Sequence, residues 1–309
     1  REAFVHAQAI LNGPKHSDAA VDRPHMTAAI VGARGGVGAS TIASSLAWLF
    51  SETNKRSTAL LDLDVHFGTG ALSLDLEPGR GLTDAIENPS RIDGLFIERA
   101  MVRANEKLSI LSAEAPMNQP MLSDGGAFYQ LQEEMRAAFE CTVIDLPRQM
   151  LVQHPHLMNE IQSVVVVAEL TLVGARDVIR ILSWLKSNAP QANVLVALNR
   201  VGPSGTSEIS KKDFESSIER KVDFVIPFDV KVVCQAAKLG KPVAEVGKTS
   251  KVGQELQAIG TRLLLTADGD EGSAPTVAKG SGSTSLAGKI AGLKSLLPAR
   301  KAKAVEQDA

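Results

Sequence analysis

Between residues 28 and 226 the chain carries seven short apolar runs, at 28–31, 59–63, 108–111, 142–144, 164–168, 194–198 and 224–226. They are rich in Val, Ile and Leu and show no period-two polarity, which predicts strands buried on both faces of a mostly parallel sheet. Between them the spacing changes. Residues 40–50, 126–139, 173–187, 211–220 and 251–265 place apolar positions at helical intervals. This alternation predicts an α/β, doubly wound fold with helices on both faces of the sheet, formed by one domain over 26–265.

The flanks read differently. Residues 1–25 begin with Arg1 rather than Met and mix polar side chains with Gly13-Pro14 and Arg23-Pro24. They are expected to be a linker or the remnant of an upstream domain, with a short helix over 2–11. Residues 266–284 are too polar and Gly/Ser-rich to pack, and read as a flexible linker. In the last segment, 285–309, Leu286, Ile290, Leu293 and Leu297 fall on one helical stripe, with Lys289 and Lys294 beside it and Arg300, Lys301 and Lys303 after it. Such a stripe suits peripheral membrane contact through 285–297 or a partner's groove, and a disordered tail is the competing reading. Gly288 and Gly292 weaken an isolated helix by about 1 kcal/mol each, so membrane attachment would gain from dimerisation.

Composition narrows the class. The 309 residues are 44% hydrophobic with a net charge of −2, which gives no reason to expect specific or general nucleic-acid affinity. Cys141 and Cys234 cannot build a disulfide framework. No stretch of about 18 apolar residues and no signal peptide is legible, so a cytoplasmic protein is expected.

The strongest local pattern is Ala33-Arg34-Gly35-Gly36-Val37-Gly38-Ala39-Ser40-Thr41, placed between a strand run and a helical run. Glycines there let consecutive backbone N–H groups turn onto an anion, and the next helix presents its positive end to the same place. Ser40 occupies a hydroxyl position suited to Mg²⁺, and Thr41 is placed for a further phosphate oxygen. Three acids end apolar runs, Asp62 and Asp64 in the second and Asp145 in the fourth. Strand C-termini line the ligand crevice in such sheets, so Asp64 is expected to orient a water, with Asp62 and Asp145 supporting the metal. Any one of these acids alone would read as a cap or turn residue. Downstream, Asn199-Arg200 ends one run with an amide suited to an adenine edge, and Pro227-Phe228-Asp229 ends the next with a turn that can close over a base.

Together these motifs resemble the MinD/ParA class of deviant Walker ATPases. Gly32 to Thr41, Phe67 to Thr83, Asp145-Leu146-Pro147-Arg148 and Gln235 to Pro242 resemble more narrowly the CpaE/TadZ proteins of tight-adherence (Flp) pilus assembly. The resemblance covers roughly residues 26–265. It implies ATP and Mg²⁺ as cofactors, a nucleotide-dependent homodimer that sandwiches two nucleotides, and a role as a spatial organiser, at a cell pole or the inner face of the membrane, with pilus or secretion assembly proteins as partners. A receiver-like domain often precedes the ATPase in such proteins.

Two lysines of that class are replaced. Their positions hold Arg34, which keeps a charge and a fork able to reach across a dimer, and Ala39, which brings nothing to the phosphates. Losing one charged hydrogen bond weakens binding roughly 10- to 100-fold, whereas losing a transition-state contact costs about 10²–10³ in rate. Binding with slow or absent hydrolysis is therefore expected.

Other readings stay open at this point. A DNA-partitioning ATPase would need a basic face, and Lys211-Lys212 and Arg220-Lys221 are interrupted by Glu208, Asp213, Glu215, Glu219 and Asp223. ATP-grasping amidoligases share the expected fold, though no substrate pocket is legible. His154 and His156 are read as surface positions, Cys141 as a small core residue, and Trp48 and Trp184 as packing.

Overall fold

The computed structural model describes residues 24–118, 125–203 and 205–269. Its strands are β1 (Met26–Gly32), β2 (Thr58–Asp62), β3 (Val102–Arg103), β4 (Leu108–Leu111), β5 (Cys141–Asp145), β6 (Ser163–Ala168), β7 (Asn193–Val201) and β8 (Phe224–Pro227). They form one sheet in the order β3-β4-β2-β5-β1-β6-β7-β8. Every pairing is parallel except that of β3 with β4. The connecting helices are α1 (Ala39–Trp48), α2 (Gly81–Glu87), α3 (Gly94–Ala100), α4 (Gly126–Ala138), α5 (Arg148–Gln153), α6 (Leu172–Asn188), α7 (Lys211–Ile218), α8 (Val230–Leu239), α9 (Val243–Val246) and α10 (Lys251–Ala267).

Continuous apolar runs make a sheet that must be covered twice. Along β1, Ala28 and Ile30 join one core with side chains of α1, α9 and α10, while Ala29 and Val31 join the other with those of α2, α4, α6 and α7. β6 divides the same way, Val165 and Val167 against Val164, Val166 and Ala168. Each fully buried Val, Leu or Ile contributes about 1.5–3 kcal/mol, so neither layer can be shed cheaply. β1 lies between β5 and β6, with the chain moving to β2 on one side before returning to fill the other. The reversal opens a crevice at the C-terminal ends of the central strands.

All seven predicted runs coincide with strands. The two-residue β3 and the helices α2, α3, α5, α8 and α9 were not legible. Most of these helices are a turn or two long, and α8 is a ten-residue amphipathic helix of which only Ala236 is buried. The first helix is longer than expected, closing with a π-helical turn over Leu49–Thr53 that buries Leu49 and Phe50. The last continues through Ala267, where the Arg56 guanidinium meets Asp268 at 2.7 Å and Asn193 donates to the Thr266 hydroxyl. Thr266 and Ala267 thus complete a helix that composition assigned to the linker. Cys141 is fully buried, and burial pushes its thiol up to about 12. Trp48 and Trp184 pack, partly buried, against the two cores. The helix expected over 2–11 and the amphipathic segment 285–309 lie outside the described residues.

Candidate functional site

The glycine-rich turn follows β1 directly and is held at both ends. Ala33 N–H donates to Val167 O at 2.8 Å, and Asn199 Nδ2 donates to Val37 O at 2.8 Å. Gly36 and Gly38 have φ of +81° and +92°, the left-handed region that side chains rarely adopt. A Cβ on Gly38 would also lie 2.4 Å from Asn199 Nδ2. Gly38 precedes α1 and no side-chain hydrogen bond caps that helix. Its first turn can therefore receive an anion on its backbone N–H groups.

A polar cleft of about 450 Å³ opens over this turn, lined by residues 34–41 together with Asp64, Asp145, Pro147, Arg148 and Arg200. Ser40 donates a hydrogen bond to the Asp145 carboxylate, which ends β5. Asp145 is held up to about 7 by burial first and by the neighbouring Asp62 charge second, with the Ser40 hydroxyl opposing both. The two acids are register partners across β2 and β5. Burial also raises Asp62, against the pull of its backbone hydrogen bonds.

Asp62 departs from its expected placement. It is fully buried, its Oδ1 accepts from Asp64 N–H at 3.1 Å and its Oδ2 from Gly70 N–H at 2.8 Å. The carboxylate thus organises the loop after β2 and is not among the residues lining the cleft. Gly68 and Gly70 make this possible, because a Cβ at either would come within 2.6 or 3.0 Å of Asp62 Oδ2. Asp64 does line the cleft, and its Oδ1 accepts from Phe67 N–H at 3.1 Å.

The arginines are paired. Arg34 Nη1 lies 3.3 Å from Asp177 Oδ2, a residue of α6. Arg148 Nη1 donates to Ala33 O at 2.7 Å and lies 3.7 Å from the same Asp177 oxygen. Arg200, at a φ of +54°, donates to Glu169 Oε1 at 3.1 Å.

A second cleft of about 700 Å³ adjoins the first and shares Gly38, Thr41 and Arg200 with it. Its floor is apolar, from Ile42, Ile226, Pro227, Val243, Val252 and Leu256. Pro227 and Phe228 line it as expected, and Phe228 N–H is tied to Val201 O at 2.9 Å. Asp229 Oδ1 accepts from Val232 N–H at 3.1 Å, capping α8. Asn199 lines this cleft too, with one Nδ2 hydrogen on the glycine turn and Oδ1 accepting from Arg200 N–H at 2.9 Å. It clamps the turn in addition to lining the cleft expected to hold a base.

Sequence reasoning brought together the glycine turn, Ser40, Thr41, Asp64, Asp145, Asn199, Arg200 and Pro227. It missed Asp177, Glu169 and Arg148. The first two are single acids on long helical or loop segments and carry no local signal, whereas Arg148 was visible directly after Asp145-Leu146-Pro147. His154 and His156 are half-buried rather than on the surface, His154 against Phe128 at 5.1 Å and His156 Nε2 3.1 Å from Gly125 O. No metal-competent group of three or more His, Cys, Asp or Glu occurs among the described residues.

A central parallel strand, a glycine turn and an uncapped helix, with an acid ending the adjacent strand, define a P-loop NTPase fold of the MinD/ParA type. The chain belongs to the CobQ/CobB/MinD/ParA nucleotide binding domain family (CbiA), which matches residues 28–243. Among solved structures it is similar to a ParA family ATPase from Chlorobium tepidum TLS, at 18% identity and a TM-score of 0.69 over 77% of this chain and 98% of that one. The septum site-determining protein MinD of Pyrococcus horikoshii OT3, complexed with Mg-ADP, aligns at 18% identity and a TM-score of 0.60, over 80% and 96%. An aspartate-to-alanine variant of McdA from Cyanothece, in complex with ATP, aligns at 17% identity and a TM-score of 0.59, over 83% and 100%. No curated protein matches the chain in sequence.

Proposed function

We propose that the chain is an ATP-binding, nucleotide-dependent homodimeric organiser of the CpaE/TadZ kind, acting in pilus or secretion assembly with slow or absent hydrolysis. The observation that carries this reading is a complete glycine turn and uncapped helix opening onto a polar cleft in which position 39 is alanine. Phosphates would lie on the N–H groups of residues 35–41, and the nucleoside would lie in the adjoining apolar cleft beside Pro227 and Phe228. Ser40 and Asp145 suit a hard cation, because a divalent ion relieves the repulsion between buried Asp145 and Asp62. Mg²⁺ bound there would neutralise charge on the phosphate oxygens. Asp64 is the acid placed in the cleft to orient a water, and Arg34 is the loop's charged reach toward a second subunit.

Slow turnover follows from Ala39. An absent charged contact costs roughly 10- to 100-fold in binding, which millimolar ATP overcomes, but about 10²–10³ in rate. The MinD and McdA structures cited above hold Mg-ADP and ATP respectively, which supports nucleotide and Mg²⁺ use. Exposed Phe67, Leu72, Phe228 and Val230 rim the clefts and nearby surface, which suits a partner-binding face. A DNA-partitioning role gains little, since Lys211 and Lys221 both pair with Glu215, and Arg220 pairs with Asp223. No helix among the described residues is long and apolar enough to cross a membrane. Peripheral contact is assigned to 285–297.

Light scattering of the protein alone, with ADP and with ATP–Mg²⁺, with phosphate release followed in the same samples, tests this reading. ATP-specific dimerisation with little release is expected. A monomer in all three conditions would contradict the organiser.

A further inference from the structure

We propose that Arg148 is a phosphate-binding residue, the cation that supplies the ground-state part of the missing loop lysine's task and leaves its transition-state contact unfilled. The proposal rests on the nucleotide reading above. The polar cleft is lined by arginines from three separate elements, Arg34 from the turn, Arg148 from the start of α5 and Arg200 from β7, against the two carboxylates Asp64 and Asp145. No lysine among the described residues lines it. The positive charge that a phosphate-binding cleft requires has thus been moved off position 39 and onto guanidinium groups.

Arg148 is the best placed of the three to serve the turn's own phosphates. Its Nη1 donates to Ala33 O at 2.7 Å, which fixes the guanidinium against the point where β1 enters the turn. Pro147 ends the strand exit and precedes the first helical residue, so the Arg148 stem starts beside Asp145 on the same rim as Ala39. Asp177 Oδ2 sits 3.7 Å from Arg148 and 3.3 Å from Arg34. One carboxylate therefore faces two guanidinium groups, and neither has it to itself. A guanidinium carries five donors, and Arg148 has committed one nitrogen to these contacts, with its side chain 48% exposed. Arg200 is held differently, by Glu169, at the boundary with the apolar cleft.

Affinities of the full chain for ATP–Mg²⁺ and for adenosine, measured by titration calorimetry, separate the possibilities. Arg148→Ala is expected to weaken ATP about 10- to 100-fold and to leave adenosine unchanged, a split that mere loosening of the fold would not produce. Arg148→Lys, which keeps the charge and loses the fork, should fall between. Adding Ala39→Lys to Arg148→Ala should restore at least about tenfold of the lost ATP affinity, and do more there than in the unaltered chain. ATP binding untouched by Arg148→Ala, or adenosine weakened in equal measure, overturns the assignment alone. Absence of ATP binding by the unaltered chain overturns the nucleotide reading and this assignment with it.

Discussion

The two clefts that meet at Gly38 are built on opposite plans. The polar one is narrow and pinned by hydrogen bonds reaching it from β5, β6, β7 and α6, through Asp145, Val167, Asn199 and Asp177. The apolar one is wider, and one wall is α8, which buries a single alanine and leaves Val230 and Val233 exposed. Charge recognition needs donors fixed in advance, because reorganising them at the moment of binding forfeits their advantage. An apolar face needs only shape and tolerates motion. The difference predicts that binding energy and rigidity reside in the polar cleft, with the apolar cleft free to adapt to its occupant or to a second protein.

The largest effect should come from Gly38→Val. It places a branched side chain at a φ of +92° and 2.4 Å from the Asn199 amide. Chemical denaturation should show a loss of about 2–4 kcal/mol, and ATP should no longer raise the unfolding temperature. Retention of the ATP-induced shift would mean that the turn is not the rigid half.

Asp145→Asn probes the charge stored beneath the polar cleft. The folded carboxyl titrates near 7 against an ordinary value of 3.8, so the fold favours its protonated form. Its contribution makes the nucleotide-free protein less stable as pH rises through that window, by roughly 2–4 kcal/mol at full ionisation. The Asn variant should be more stable than the parent at pH 8, similar to it at pH 4, and should lose Mg²⁺ dependence of nucleotide binding. Parallel stability profiles for the two proteins would count against a strained carboxyl.

Asn199→Ala removes the clamp on Val37 O and should weaken ATP about tenfold, with a stability loss of about 1–2 kcal/mol. If its amide instead read the base, the variant would lose discrimination between ATP and GTP while keeping its affinity for tripolyphosphate. Phe228→Ala should have the smallest effect, about two- to fourfold on ATP, because Phe228 is 58% exposed and gives up little buried area. A loss as large as that of Asn199→Ala would move the apolar cleft into the rigid class.

The same contrast explains what could be read from the chain. The polar cleft was legible because its signal is local: glycines at fixed offsets between a strand and a helix, and acids ending apolar runs. What could not be read there was direction. Asp62 and Asp145 end neighbouring strands in register, yet one turns into the loop closed by Gly68 and Gly70 while the other meets Ser40. The Arg34–Asp177 pair joins segments far apart in the chain and leaves no trace in either. The apolar cleft was legible only at its edge, as Asn199-Arg200 and the turn at Pro227, since most of its floor is assembled from α1, α9 and α10, whose side chains also read as ordinary core.

A site with alanine at position 39 should retain ATP without consuming it. Pure protein with saturating ATP–Mg²⁺, quenched over hours and analysed by chromatography, tests this directly. Bound nucleotide should be recovered as ATP, with Ala39→Lys speeding release of phosphate about 10²-fold or more. Turnover by the unaltered chain at about 1–100 s⁻¹, abolished by Asp64→Ala, would contradict it.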